Sequence, residues 1–169
     1  MIPLIPYKRI IITTSLAMND AVAVLSKTVS PKRRWYQLSF GGGGFEGIVS
    51  RDGFKIERAI SYRNSFLPIL HGTFRPHVNG TQIEVVMKMH PLVIGFSIFW
   101  CSVVLSGLVT SLTKSIISHE LRYEVLVTFG MLAAFYLMTI LGFGFEVRKA
   151  IRLINEVFKE KGHNVGSAE

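Results

Sequence analysis

The chain carries a single cysteine, Cys101, in 169 residues. One thiol closes no internal disulfide, and a cysteine-based zinc site is excluded with it. Charge is scarce as well: 18% of residues are Asp, Glu, Lys or Arg, against about 25% in an ordinary soluble domain. Acidic residues are the scarcer kind, eleven against nineteen Lys+Arg, for a formal net charge of +8. Long polar tracts are missing, and 11% of the residues are aromatic, which excludes a disordered chain. The first nine residues lack the order of a signal peptide, because Lys8 and Arg9 follow the short apolar stretch and Pro3 and Pro6 interrupt it.

What is present is apolar and concentrated in two blocks. Residues 91–113 form an uncharged run of 23, twelve of them Val, Ile, Leu or Phe. Residues 125–145 form a second run of 21, with eleven of the same four types. At about 1.5 Å per helical residue, either run crosses a hydrocarbon core. Two buried helices in a soluble bundle are the alternative, but a chain this short has too little surface left to cover both on all sides. The connecting residues 114–124 are few enough to force an antiparallel hairpin, so both chain ends face one side. Lys88, Arg148, Lys149 and Arg152 flank that side, against Lys114 and Arg122 in the linker. The positive-inside rule then predicts a multi-pass protein with two spans and both termini cytoplasmic.

Residues 1–90 read as a cytoplasmic α+β domain, an antiparallel sheet with one helix. Residues 8–15 (KRIIITTS) are β-branched and strand-like. Asn19 or Asp20 is placed to cap a helix running through Val29, ended by Ser30-Pro31. Further strand-like runs cover residues 35–40, 45–50, 54–61, 66–75 and 81–89. Arg51-Asp52-Gly53 and Val78-Asn79-Gly80 supply hairpin-type turns. Alternation places Ile83, Val85, Met87 and Met89 on one face, and the N-terminal helix is the candidate to cover it. Beyond the hairpin, residues 146–161 have helical spacing, with Val147, Ile151, Ile154 and Phe158 along one side. Such an amphipathic helix lies either on the membrane surface or on the β domain, and residues 162–169 are expected to be a disordered tail.

Most chemical signatures reduce to plain structure. Gly42-Gly43-Gly44-Phe45-Glu46-Gly47 satisfies G-x-G-x-x-G, but a strand-like run follows where a phosphate-cradling helix is required. The five histidines, His71, His77, His90, His119 and His163, lack metal-ligand spacing. No nucleophile is paired with a base, and no two carboxylates stand at a useful spacing. Catalytic, cofactor-binding and metal residues are accordingly predicted to be none. A membrane-bound enzyme using His71, His77 or His90 as acid or base is the least favoured reading.

Two segments invite interaction. Lys32-Arg33-Arg34-Trp35-Tyr36 sets three cations beside aromatics. Near a bilayer this favours anionic lipid head groups, at about 1 kcal/mol per cation, or simple solvation, and no signature for nucleic acid accompanies it. In residues 54–68 the polar insertion containing Arg63 and Asn64, with Arg58 before it, is either a corner satisfying backbone groups or an interaction surface. Within the helical runs, Ser102-x-x-x-Ser106 with Gly107, and Gly130-x-x-x-Ala134, offer small faces for hairpin packing or homo-oligomerisation.

Phe45-x-Gly47, followed by Phe54-x-Ile56-x-Arg58-x-Ile60-x-Tyr62-Arg63-Asn64-Ser65-Phe66-x-Pro68 and Gly72, resembles a group of small, uncharacterised bacterial membrane proteins. These carry a cytoplasmic β-rich region before a transmembrane hairpin. The resemblance spans residues 45–105 and implies a bacterial inner-membrane location, with no activity attached. A looser similarity is to bacterial pleckstrin-homology-like domains fused to hairpins, although those place the hairpin first. The resulting expectation is a non-enzymatic membrane protein whose basic β domain binds a protein partner or anionic lipid. The alternative is a small subunit that stabilises a larger membrane complex.

Overall fold

A computed structural model describes residues 7–31, 44–60, 62, 64–119 and 123–162. The chain is mixed α+β, as its patterning predicts. In order, the elements are β1 (Tyr7–Thr14), α1 (Met18–Thr28), β2 (Val29–Ser30), β3 (Phe45–Val49), β4 (Phe54–Arg58), β5 (Ile69–His77), β6 (Gly80–Lys88), α2 (Pro91–Ser118) and α3 (Tyr123–Gly162). The strands form one sheet in the order β1-β6-β5-β4-β3-β2. Four neighbouring pairs are antiparallel. The short β2 instead runs parallel to β3, pairing Val29 with Phe45 and Ser30 with Glu46. The strand-like run at residues 35–40 and the tail from residue 163 lie outside the described residues.

Period-2 alternation sets the two faces of the sheet. Ile83, Val85 and Met87 point inward on β6 and are fully buried. Their cross-strand neighbours share that face: Ile12 and Phe74 stand opposite Ile83, and Leu70 opposite Met87. Gly72 is required there because the Phe54 ring lies across it, and a Cβ would fall inside that ring. The turn between β5 and β6 closes on Gly80, whose φ of 131° no other residue adopts without strain.

α1 differs from its expected bounds at both ends. It begins at Met18 behind Ala17, with no side-chain cap, so Asn19 and Asp20 fall inside the first turn. There Asp20 complements the helix dipole instead of capping it. The helix stops at Thr28 because Val29 and Ser30 are drawn into the sheet ahead of Pro31.

The inner face has two covers. α1 supplies Ala21 and Leu25, both fully buried, and α3 supplies Phe143, Val147, Ala150, Ile154 and Phe158. The amphipathic stripe is therefore seated on the β domain. It is also part of one continuous helix of 40 residues, with no interruption where the apolar run ends at Phe145. No proline breaks the segment, and its two glycines there, Gly142 and Gly144, tolerate helix geometry at modest cost.

α2 opens with Pro91 behind the N-cap His90, whose Nδ1 accepts a hydrogen bond from the Leu92 N–H at 3.2 Å. It ends at His119 in the left-handed conformation, φ 55°. Trp100 stacks on Phe135 at 4.4 Å between ring centroids, and Gly107 faces Thr128. Rising numbers on α2 meet falling numbers on α3, so the two helices are antiparallel. Both are long and apolar enough to cross a membrane, and only 6% and 11% of their most apolar windows are buried.

Candidate functional site

The segment with the most distinctive wording folds against α3. On β4 the inward positions are Phe54, Ile56 and then Arg58, which is paired in register with Phe45. Arg58 therefore leaves the sheet on its core side, where α3 lies. Its Nη2 donates to Glu146 Oε2 in a short ion pair and to the Tyr62 hydroxyl at 3.2 Å. Glu146 is only 4% exposed. Its other oxygen accepts from Lys149 Nζ at 3.1 Å and, at 3.5 Å, from the Tyr62 hydroxyl. Burial works against the Arg58 charge, but the hydrogen bonds to Tyr62 and Glu146 and the Glu146 charge outweigh it. The guanidinium is thereby held above the ordinary arginine range. Arg58 Nε is buried without a partner among the described residues.

The polar insertion that follows is a corner. Asn64 Oδ1 accepts from the Phe66 N–H at 3.0 Å, and the Asn64 carbonyl accepts from Leu67 N–H at 3.3 Å. An Asx-type turn of this kind aims Phe66 inward, and its ring lies on Gly142 of α3. A Cβ at Gly142 would come within 2.8 Å of that ring. Gly142 and Glu146 are four residues apart and share a helix face. The corner thus holds α3 at two successive turns, through a ring and an ion pair, where the apolar run meets the first charge after it.

Of the residues singled out in the sequence, Arg58 and Asn64 come together here. Lys32, Arg33, Arg34, Trp35 and Arg63 lie outside the described residues. Gly44 precedes β3 and its carbonyl accepts from Ala59 N–H at 2.9 Å, so a strand follows the glycines. His90 caps α2, while His71 and His77 stand exposed on β5. Among the described residues no three of His, Cys, Asp and Glu are grouped to hold a metal ion. Glu146, Phe66 and Gly142 were the partners that sequence reasoning missed. The available signal was Glu146 itself, the first charge after 21 uncharged residues.

No protein-family model matches this chain, and neither a curated protein nor a solved structure matches it.

Proposed function

We propose that the chain is a two-span protein of the bacterial inner membrane. In this reading both termini and the β domain are cytoplasmic, and the domain acts as a non-enzymatic module that binds a protein partner or anionic lipid. One observation carries it: two antiparallel apolar helices stand almost bare, while the second runs unbroken into the roof of a basic sheet domain. Bare apolar flanks of that length are stable in hydrocarbon and costly in water. Residues 1–90 hold twelve Lys+Arg against five Asp+Glu, which suits the cytoplasmic face of an anionic membrane.

The topology is tested with Ser118→Cys in a Cys101→Ser background. An impermeant maleimide should label the new thiol in intact cells. Labelling that needs lysed cells would reverse the orientation. For the partner, a photo-crosslinker at Arg34 or Arg63 should capture a protein or lipid in cells, and no product at either position would remove the binding role.

A second reading, a small subunit of a larger membrane complex, is favoured by the open helix faces at Gly95 and Gly130, where an added Cβ would meet no other part of the described residues within 4 Å beyond its own helix backbone. Small residues of this kind admit another helix closely. Co-migration with other membrane proteins in mild detergent supports it, and a lone monomer excludes it.

A further inference from the structure

β1 stands at one end of the sheet. All eight of its residues pair with β6 on one side, and among the described residues no strand pairs with the other. An open edge of that length is a template for a further strand, and proteins usually shorten or cover it. The two faces of this edge differ. Tyr7 and Ile11 stand on the outer face, 59% and 56% exposed. Lys8, Ile10 and Ile12 stand opposite Met87, Val85 and Ile83 and share their inner face.

α3 runs along the inner side of the edge. Residues 12–15 of β1 and its end, with Asn155, Phe158 and Lys159 of α3, line a cleft of about 460 Å³. Arg148 and Arg152 stand seven residues before Asn155 and Lys159, two turns back, and continue the same helix face toward the apolar run. Lys8, Arg148, Arg152 and Lys159 are exposed, and none of them is in an ion pair with another described residue. Glu156 is turned about 100° from Asn155. The open strand edge is thus flanked by cations on its inner side and by apolar side chains on its outer side. Arg148 and Arg152 are about 6 Å apart along the helix axis, and alternate residues of a strand are about 6.6 Å apart. Successive inward carboxylates on an added strand would meet successive cations.

We propose that this edge takes an extended acidic segment of a partner protein as an added strand, its alternate carboxylates turned toward Arg148, Arg152 and Lys159 and its intervening apolar residues lying against Tyr7 and Ile11. Main-chain hydrogen bonds to β1 supply affinity in such an arrangement, and the alternate side chains supply selectivity. A second copy of the chain does not fit the edge. β1 begins opposite Lys88, close to the start of α2, and ends at the cleft by the late turns of α3. An antiparallel copy would carry its hairpin away from the membrane, and a parallel copy would bring Lys8 and Arg9 against their own kind. The inference rests on the reading above of a membrane-anchored domain that binds a protein partner, and it names the surface and the chemistry of that partner.

The test uses the full chain in micelles of an uncharged detergent, with a fluorescent peptide as long as β1, eight residues, alternating glutamate and valine. Anisotropy should report binding that weakens with added salt, and the same peptide with lysine for glutamate should not bind. N-methylation of one alternate set of peptide backbone nitrogens should abolish binding, and of the other set should leave it, because only every second N–H of an added strand points at its neighbour. Arg152→Gln and Lys159→Gln should each weaken binding about three-fold, the worth of one exposed ion pair. Failure of the acidic peptide to bind overturns the proposal, as does equal binding of both peptides or equal loss from both N-methylated sets. Binding that requires deletion of residues 163–169 would overturn it in favour of the chain's own end as occupant. A dimer lost on Ile11→Lys would overturn it in favour of a second copy. Uncharged micelles hold no anionic lipid, so these outcomes bear on the edge of the sheet alone, whereas maleimide labelling and photo-crosslinking bear on the membrane and partner reading.

Discussion

At the scale of single residues, Arg58 and Glu146 behave as one unit. Removing either leaves the other charge buried, and such a loss costs about 3–5 kcal/mol where no further partner exists. Lys149 still reaches Glu146, and Tyr62 still reaches either side. Arg58→Ala and Glu146→Ala should therefore each destabilise the β domain by about 2–4 kcal/mol. The double variant should fall well short of the sum, because the two residues share one interaction. Lys149 is 53% exposed in the pair, so Lys149→Ala should cost less than about 1 kcal/mol. Thermal melting in detergent micelles measures all four. His71 gives a pH-dependent counterpart on the opposite face. Its pKa is lowered, first by burial and then by Lys55 and Lys88, with Glu57 of β4 and Glu84 of β6 the nearby acids on that face. The folded state thus binds fewer protons than the unfolded one. The His71 contribution is complete above the ordinary value of about 6.5 and is lost as pH falls through it toward the folded pKa. Titration of the His71 ring by NMR should give a midpoint below the ordinary imidazole value of about 6.5, and Lys55→Gln with Lys88→Gln should move it up.

At the scale of elements, α3 joins two environments through one helical phase. Val147, Ala150, Ile154 and Phe158 reach the sheet only because each turn advances in register with the one before. Inserting one alanine between Phe145 and Glu146 rotates everything after it by about 100°. The stripe should leave the sheet, and limited proteolysis should then cut residues 7–88 readily while the two apolar helices stay protected. Ile154, which is fully buried, is the most sensitive single position, and Ile154→Ala should cost about 2–5 kcal/mol. This stripe was legible in the sequence, because a 3.6-residue period needs only local residues. So were β4 and β6, from alternation, and the two turns, from Gly53 and Gly80. The docking of the stripe was left open, since periodicity identifies an apolar face without naming what covers it. β2 was missed for a related reason: two residues are too few to show a period. The ion pair was the least legible feature, because Arg58 and Glu146 are 88 residues apart and nothing local couples them.

At the scale of the whole molecule, the basic excess and the apolar excess meet on one continuous helix, α3. α3 is about 60 Å long at 1.5 Å per residue. One half packs against α2, and the other roofs the sheet. The corner at Asn64–Phe66 and the Arg58–Glu146 pair grip it between the two, so reorienting the β domain requires α3 to bend or that grip to open. A long uninterrupted helix resists a sharp kink without proline or an inserted bulge. Spin labels at Thr73, on the outer face, and at Ser118, at the far end of α2, should therefore give one narrow distance distribution in a Cys101→Ser background. Arg58→Ala or Glu146→Ala should broaden that distribution while the helical circular dichroism stays unchanged. If the unaltered protein already gave a broad distribution, the domain would swing freely and the grip on α3 would have no mechanical role. A narrow distribution that survived both substitutions would place the stiffness in the roof contacts at Ala150, Ile154 and Phe158 alone.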